Sequence, residues 1–329
     1  MSKFDFIAIG DITTDAFIRL KEAHVNCQID RQNCQICMRF GDKIPYESVT
    51  IVSAVGNSPN AAVSASRLGL SSAVVTNVGA DEHGTEDIAT LQKNNVDTSL
   101  VKINSGKTSN YHYVLWYEDD RTILIKHEEF AYELPAFEPP RFIYLSSLGE
   151  NSLPFHHTIA EYVKDHPETK LVFQPGTFQI KLGAETLKDI YAVTEIFFCN
   201  VEEARRIIDA PETKINDLLS KIHTLGPKIV VITDGPKGAY CFDGTTKWFM
   251  PIYPDPKPPL ERTGAGDSFA STFTAMIALG KSVEEALTLA PINSMNVVQH
   301  IGAQEGLMTM GEIQDWLAKA PTDYKPQII

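Results

Sequence analysis

The chain has 329 residues, 43% of them hydrophobic, with 42 acidic against 29 basic side chains and a formal net charge of -13. That is enough to bury a large core without disulfide staples, as one large α/β domain or two smaller ones, while the acidity argues against a surface that neutralises nucleic-acid phosphates or anionic lipid. No apolar run approaches the roughly 20 residues of a membrane span, and five cysteines are an odd number, so a cytoplasmic, reduced setting is expected.

Short apolar β-rich runs alternate with longer amphipathic ones, the pattern of strand-helix-strand units and a mostly parallel sheet. A first strand is expected over Phe4 to Ile9. Residues 12–55 interrupt the rhythm with β-rich sequence. A helix over Asn60 to Leu68, a strand over Ala73 to Val78 and a helix over Thr85 to Asn94 follow. Residues 108–126 form a second β-rich interruption, read as a hairpin because apolar strands flank the charged turn Glu118-Asp119-Asp120-Arg121. Strands over Phe142 to Leu145, Lys170 to Phe173, Ile196 to Cys199 and Ile229 to Thr233 then alternate with helices over Pro154 to Asp165, Glu202 to Ile208 and Ile215 to Leu225. The Pro-rich stretch from Pro251 to Pro259 reads as a rigid connector. Helices over Asp267 to Leu279, Val283 to Gln299 and Thr309 to Ala318 close the chain, with Gly280 and Gly302 as expected stops. The fold class is doubly wound α/β, and no long linker marks a domain boundary.

Chemistry concentrates at Thr263-Gly264-Ala265-Gly266-Asp267, where glycines meet the start of a helix and an acid sits in its first turn. Successive backbone N–H groups with no bulky side chains can cradle a phosphoryl group, and the helix dipole favours its charge. Asp267 is then placed to accept the proton of an attacking hydroxyl. The alternative for this one motif is an Asp that caps its helix.

Four further motifs, in order, make the sequence similar to the ribokinase-like (PfkB) family of sugar and nucleoside kinases. They are Gly10-Asp11-Ile12-Thr13-Thr14-Asp15, Val55-Gly56-Asn57-Ser58-Pro59-Asn60, Asn200-Val201-Glu202-Glu203 and Thr233-Asp234-Gly235-Pro236-Lys237-Gly238. Val78-Gly79-Ala80-Asp81-Glu82-His83-Gly84 matches a fifth family turn that reads as structural. The resemblance implies a single ribokinase-like domain over 1–329 with a β-rich lid from about 12–55 and 108–126. It implies Asp267 as base, the amides of Gly264, Ala265 and Gly266 as anion hole, and Asp15, Gly56 and Asn60 on the substrate. Asn200, Thr233, Gly235 and Gly238 would meet the nucleotide, and Glu203 would help order Mg2+ on ATP. Val55 stands where the family has a first glycine of its sugar-binding pair.

Before the anion hole the sequence reads Glu261-Arg262-Thr263, where family members often carry Asp first and use it beside a monovalent cation. Glu261 keeps that charge on a longer arm, which leaves K+ compatible with the site. His24, Cys27, Cys34 and Cys37 form a His-x-x-Cys and Cys-x-x-Cys pair. They could converge on Zn2+, or be small thiols in a β-lid.

Three classes remain to be weighed. The leading one is an ATP-dependent kinase acting on a hydroxyl of a small sugar such as ribose or fructose, with a nucleoside as the alternative acceptor and Tyr111, Tyr113, Trp116 and Tyr117 as its candidate shelf. A non-catalytic sugar or nucleotide binder would be expected to lose Asp267, which is present. A dinucleotide enzyme is excluded by Gly10-Asp11-Ile12-Thr13, which lacks the glycine turn a pyrophosphate needs. Lid strands with open edges favour a homodimer through the lid.

Overall fold

The computed structural model describes residues 3–26, 35–117 and 120–329. In chain order the elements are β1 (Phe6–Ile9), β2 (Thr13–Leu20), β3 (His24–Asn26), β4 (Gln35–Cys37), β5 (Tyr46–Val55), α1 (Asn57–Arg67), β6 (Ser72–Gly79), α2 (Glu82–Lys93), β7 (Val101–Asn104), β8 (Tyr111–Tyr117), β9 (Asp120–Leu124) and β10 (Phe142–Leu145). They continue with α3 (Leu153–Asp165), β11 (Lys170–Phe173), α4 (Thr177–Leu182), α5 (Lys188–Val193), β12 (Thr194–Asn200), α6 (Val201–Ile207), α7 (Ile215–His223), β13 (Ile229–Thr233), β14 (Ala239–Phe242) and β15 (Lys247–Met250). The last four are α8 (Ala265–Ala278), α9 (Val283–Val297), α10 (Met310–Leu317) and β16 (Gln327–Ile328).

Ten strands form one sheet in the order β16-β15-β14-β13-β12-β11-β10-β1-β6-β7. From β13 to β7 every pairing is parallel, and β14, β15 and β16 extend that edge in antiparallel fashion. Alternation along each parallel strand feeds two cores. Phe6, Ala8, Phe142 and Tyr144 pack under α1, α8, α9 and α10, while Ile7, Ile9, Ile143 and Leu145 pack under α3, α5, α6 and α7. A strand buried on both faces must be apolar throughout, which is why these runs are continuous in sequence. The helices satisfy their own ends: Ser282 with Glu285 and Thr309 with Glu312 are reciprocal capping boxes.

β1 lies between β10 and β6, so the chain winds away from it in both directions, and the carboxyl ends of β1 and β10 face the crevice of the switch point. Close approach there is strict. A Cβ on Gly10 would stand 2.5 Å from Ser58 Oγ and 2.6 Å from Ser146 Oγ, and those two hydroxyls already bond to each other at 2.6 Å.

A second sheet, ordered β5-β2-β8-β9, and a ribbon of β3 with β4 account for the described parts of the two β-rich interruptions. The expected hairpin is present as β8 with β9, although Glu118 and Asp119 of its turn lie outside the described residues. The ribbon pairs His24 with Cys37, while Cys27 and Cys34 also lie outside the described residues. One expected helix stop is corrected. Gly280 follows α8 in the left-handed region at φ 82°, but α9 ends at Val297, well short of Gly302. Gly302 instead closes a tertiary contact, its N–H donating to Glu261 and its Cα facing Val52 of β5.

Candidate active site

Asp267 sits in the first turn of α8, whose cap, Gly264, has φ 78°. A Cβ at Gly264 would come within 2.3 Å of the Ala303 Cβ, whereas nothing lies within 4 Å of one at Gly266. The glycine at 264 is thus demanded by packing, and the one at 266 leaves space over the helix start. The first N–H groups of a helix have no partner within it, so this opening presents donors and a positive dipole end to whatever fills it. The loop leading in is braced by Glu261, which is buried: Oε2 accepts from Thr263 N at 2.7 Å and Oε1 from Gly302 N at 2.8 Å.

Three side-chain amides converge on the Asp267 carboxylate. Asn57 and Gln174 donate to Oδ1 at 2.7 and 3.1 Å, and Asn60 donates to Oδ2 at 2.8 Å. Asn57 and Asn60 are three residues apart in the first turn of α1, hence on one face. Gln174 follows β11 directly, at the carboxyl edge of the sheet. Two of these amides are aimed by a neighbour: the Tyr144 hydroxyl donates to Gln174 Oε1, and Gln304 Nε2 donates to Asn60 Oδ1 at 3.0 Å. Asn57 and Gln174 were missed in the sequence reading. The Asn pair at helical spacing was a usable local signal, whereas nothing local marks Gln174 beyond its position after a buried strand.

On one side of Gly266 opens a cavity of about 710 Å³, a size suited to a cofactor. Asn200, Thr233, Gly235, Gly238, Ala265 and Gly266 all line it, so it joins the four expected nucleotide residues to the start of α8. Arg262, Asp255 and the proline connector complete the wall. Gly238 has φ 105°, and a Cβ there would meet Met250 O at 2.4 Å, so the loop after β13 depends on it. Behind Asn200, Glu203 forms a capping box: its Oε2 accepts from Asn200 N at 2.9 Å and Asn200 Oδ1 accepts from Glu203 N at 2.8 Å. Burial pushes the Glu203 carboxyl above its usual range, and the charges of Asp267 and Glu202 push the same way. A divalent cation would relieve that. Among the described residues no group of three or more His, Cys, Asp or Glu side chains could hold a metal alone, so a cation here would take most of its ligands from phosphates and water, as Mg2+ does.

On the other side lie the turn after β1 and the inner face of the smaller sheet. Asp15 and Asp11 are buried there. Gly56, at φ 125°, lets α1 approach: a Cβ would stand 2.7 Å from the Asp11 carbonyl oxygen. Asn60 is therefore brought to Asp267, Gly56 to the turn after β1, and Asp15 to the smaller-sheet side of that turn.

A carboxylate beside an anion-binding helix start, between a nucleotide-sized cavity and a polar turn, is the arrangement of a small-molecule phosphotransferase, and the fold is ribokinase-like. The nucleoside kinase of Methanocaldococcus jannaschii superposes with a TM-score of 0.78 at 18% identity, covering 97% of this chain and 100% of that one. The ribokinase of Arabidopsis thaliana, solved with ribose and ATP, gives 0.78 at 20% identity, covering 96% and 99%. The model of the pfkB family carbohydrate kinases matches residues 28–310, and the chain belongs to that family. The ribokinase of Bacillus subtilis (strain 168) is 28% identical over 270 residues, 80% of this chain and 87% of the relative. The relatives include both sugar and nucleoside kinases; the Methanocaldococcus nucleoside kinase is 23% identical over 280 residues, 84% of this chain and 90% of its own.

Proposed function

We propose that the chain is an ATP-dependent kinase that phosphorylates a hydroxyl of a small free sugar. The observation that carries this reading is the position of Asp267, next in the chain to Gly266, which lines the 710 Å³ cavity, and held by three amides. ATP lies in the cavity against Asn200, Thr233, Gly235 and Gly238, its terminal phosphate over the amides of Gly264, Ala265 and Gly266. Glu203 would help hold Mg2+, which would offset phosphate charge when bound. Asp15, Gly56 and Asn60 frame the acceptor. Asp267 takes the proton of the hydroxyl as its oxygen attacks the γ-phosphorus in line, and the helix-start amides hold the charge of the transferring group. Asn57 and Gln174 keep the base aimed. The lid excludes water that would otherwise hydrolyse ATP.

Aromatic placement favours a sugar over a nucleoside. Tyr113 pairs with Leu124 and Ala16 on the face opposite Asp15 and is exposed, Tyr111 packs on His83, and Trp116 is covered by the Arg19 guanidinium at 4.7 Å. Those rings are committed elsewhere. An ADP-release screen over pentoses, hexoses, sugar acids and nucleosides tests the acceptor. For the mechanism, Asp267→Asn is expected to lower kcat by about two or more orders of magnitude with ATP affinity retained. Near-normal turnover in that variant removes Asp267 as base, and a protein that binds a sugar without releasing ADP is a non-catalytic binder.

A further inference from the structure

We propose that His112 and His127 are specificity-determining residues of the acceptor pocket, where two carboxylate–imidazole pairs read the hydroxyls of one neutral sugar ring, free or as part of a nucleoside. The proposal rests on the kinase reading for where the phosphoryl donor lies.

The lid supplies one pair. Asp15 of β2 and His112 of β8 are register partners on adjacent strands, so their side chains leave the sheet on the same face, with His112 Nδ1 3.3 Å from Asp15 Oδ1. The body supplies the other. Asp11 Oδ2 is 3.3 Å from His127 Nδ1, and both Asp11 oxygens accept from the Tyr132 hydroxyl, at 2.9 and 3.0 Å. The two imidazole rings stand 5.2 Å apart, and Phe178 meets His127 edge-on at 5.7 Å. The base is adjacent in space, because the Asp11 carbonyl lies against Gly56 and the next residue, Asn57, donates to Asp267.

His112 Nε2 is buried with no partner in the protein, while Asp15 Oδ1 and His127 Nδ1 are buried with only their 3.3 Å imidazole–carboxylate contacts, neither of them a formed hydrogen bond. Buried polar atoms are rarely left so, and three gathered between a lid and a body call for a ligand that both donates and accepts. Hydroxyl groups do both: they donate to a carboxylate, and donate to or accept from an imidazole nitrogen. Two buried carboxylates with imidazole and phenol partners would repel the charge of a sugar phosphate or sugar acid.

The test measures binding apart from turnover, by calorimetric titration with a non-hydrolysable ATP analogue present. The probes are D-ribose, D-fructose, adenosine, D-ribose 5-phosphate and D-gluconate; the free-sugar and nucleoside arms identify the source of the ring. A neutral probe is expected to bind best. His112→Ala and His127→Ala should each weaken it tenfold or more and leave analogue affinity within twofold, and His112→Gln or His127→Gln should recover part of the loss. In turnover, KM for the acceptor should move more than kcat. If an alanine variant fails to bind the analogue because it does not fold, the leucine variant at that position carries the comparison. Acceptor affinity unchanged in the histidine variants, tightest binding of an anionic probe, or no binding of any neutral probe overturns the proposal. Loss of binding without ADP release from any probe would sink the kinase reading and leave this one standing; normal turnover with histidine-independent binding would do the reverse.

Discussion

A carboxylate that must receive a proton at one instant of a reaction works best if its direction is settled beforehand. Asp267 meets that condition through Asn57, Asn60 and Gln174, and the orientation of two of those amides is in turn set by Tyr144 and Gln304. Asn57→Ala and Gln174→Ala each remove one donor and should lower kcat on the order of tenfold with little change in KM for ATP. Asn57→Asp is the sharper case. It keeps the shape but sets a second carboxylate at the 2.7 Å contact with Asp267, where like charges disfavour each other, so steady-state assays should find it less active than alanine. An order of activity with Asp above Ala would mean that Asn57 only fills space.

The chain first enters the smaller sheet at Thr14 of β2 and first leaves it at Ala54 of β5, and α2 grips both of these crossings. Asp87 Oδ1 accepts from Thr14 Oγ1 at 3.0 Å and from Ala54 N at 2.6 Å, and Ala54 is held in the left-handed region at φ 61°. Burial is the main cause that pushes the Asp87 carboxyl from 3.8 to about 6. A carboxyl raised in the folded state binds its proton more tightly there than in the unfolded chain. Its contribution is full below about pH 3.8 and is lost as pH rises through about 6. Relative to Asp87→Asn, which cannot ionise, the natural protein should therefore lose about 2 kcal/mol between pH 4.5 and 7. Denaturant unfolding of both proteins at the two pH values checks this, and a constant difference would place the ionisation of Asp87 elsewhere. Nothing in the sequence around Asp87 announces this role, since its partners lie in β2 and β5. The central strands were legible because burial on both faces makes them apolar throughout. The antiparallel edge strands Ala239–Phe242, Lys247–Met250 and Gln327–Ile328 were missed because they are short and bounded by ordinary polar residues. Asp267, Gly264 and Asn60 were readable because helix starts and glycine turns are local. Gln174 was not, because its contact is made across the sheet.

On the scale of the whole molecule, the smaller sheet turns two different faces outward and inward. Asp15 and His112 mark the inner one, whereas Val49, Ile51, Tyr113 and Leu124 share the outer one and are exposed. An apolar sheet face of that kind is covered in a homodimer joined lid to lid, the assembly proposed for this chain. Sedimentation should find a dimer, and Ile51→Glu should shift it toward monomer with the melting of the body retained; a natural chain that sediments as a monomer at tens of micromolar would refute it. The contacts of Asp267 also have a kinetic side. They join residues 93, 207 and 210 positions apart, so all three are non-local, and non-local contacts close late. During synthesis the acceptor turn and α1 emerge long before the base they orient. On the proposed reading the growing chain cannot carry out the transfer until the later-made start of α8 docks on the earlier-made α1.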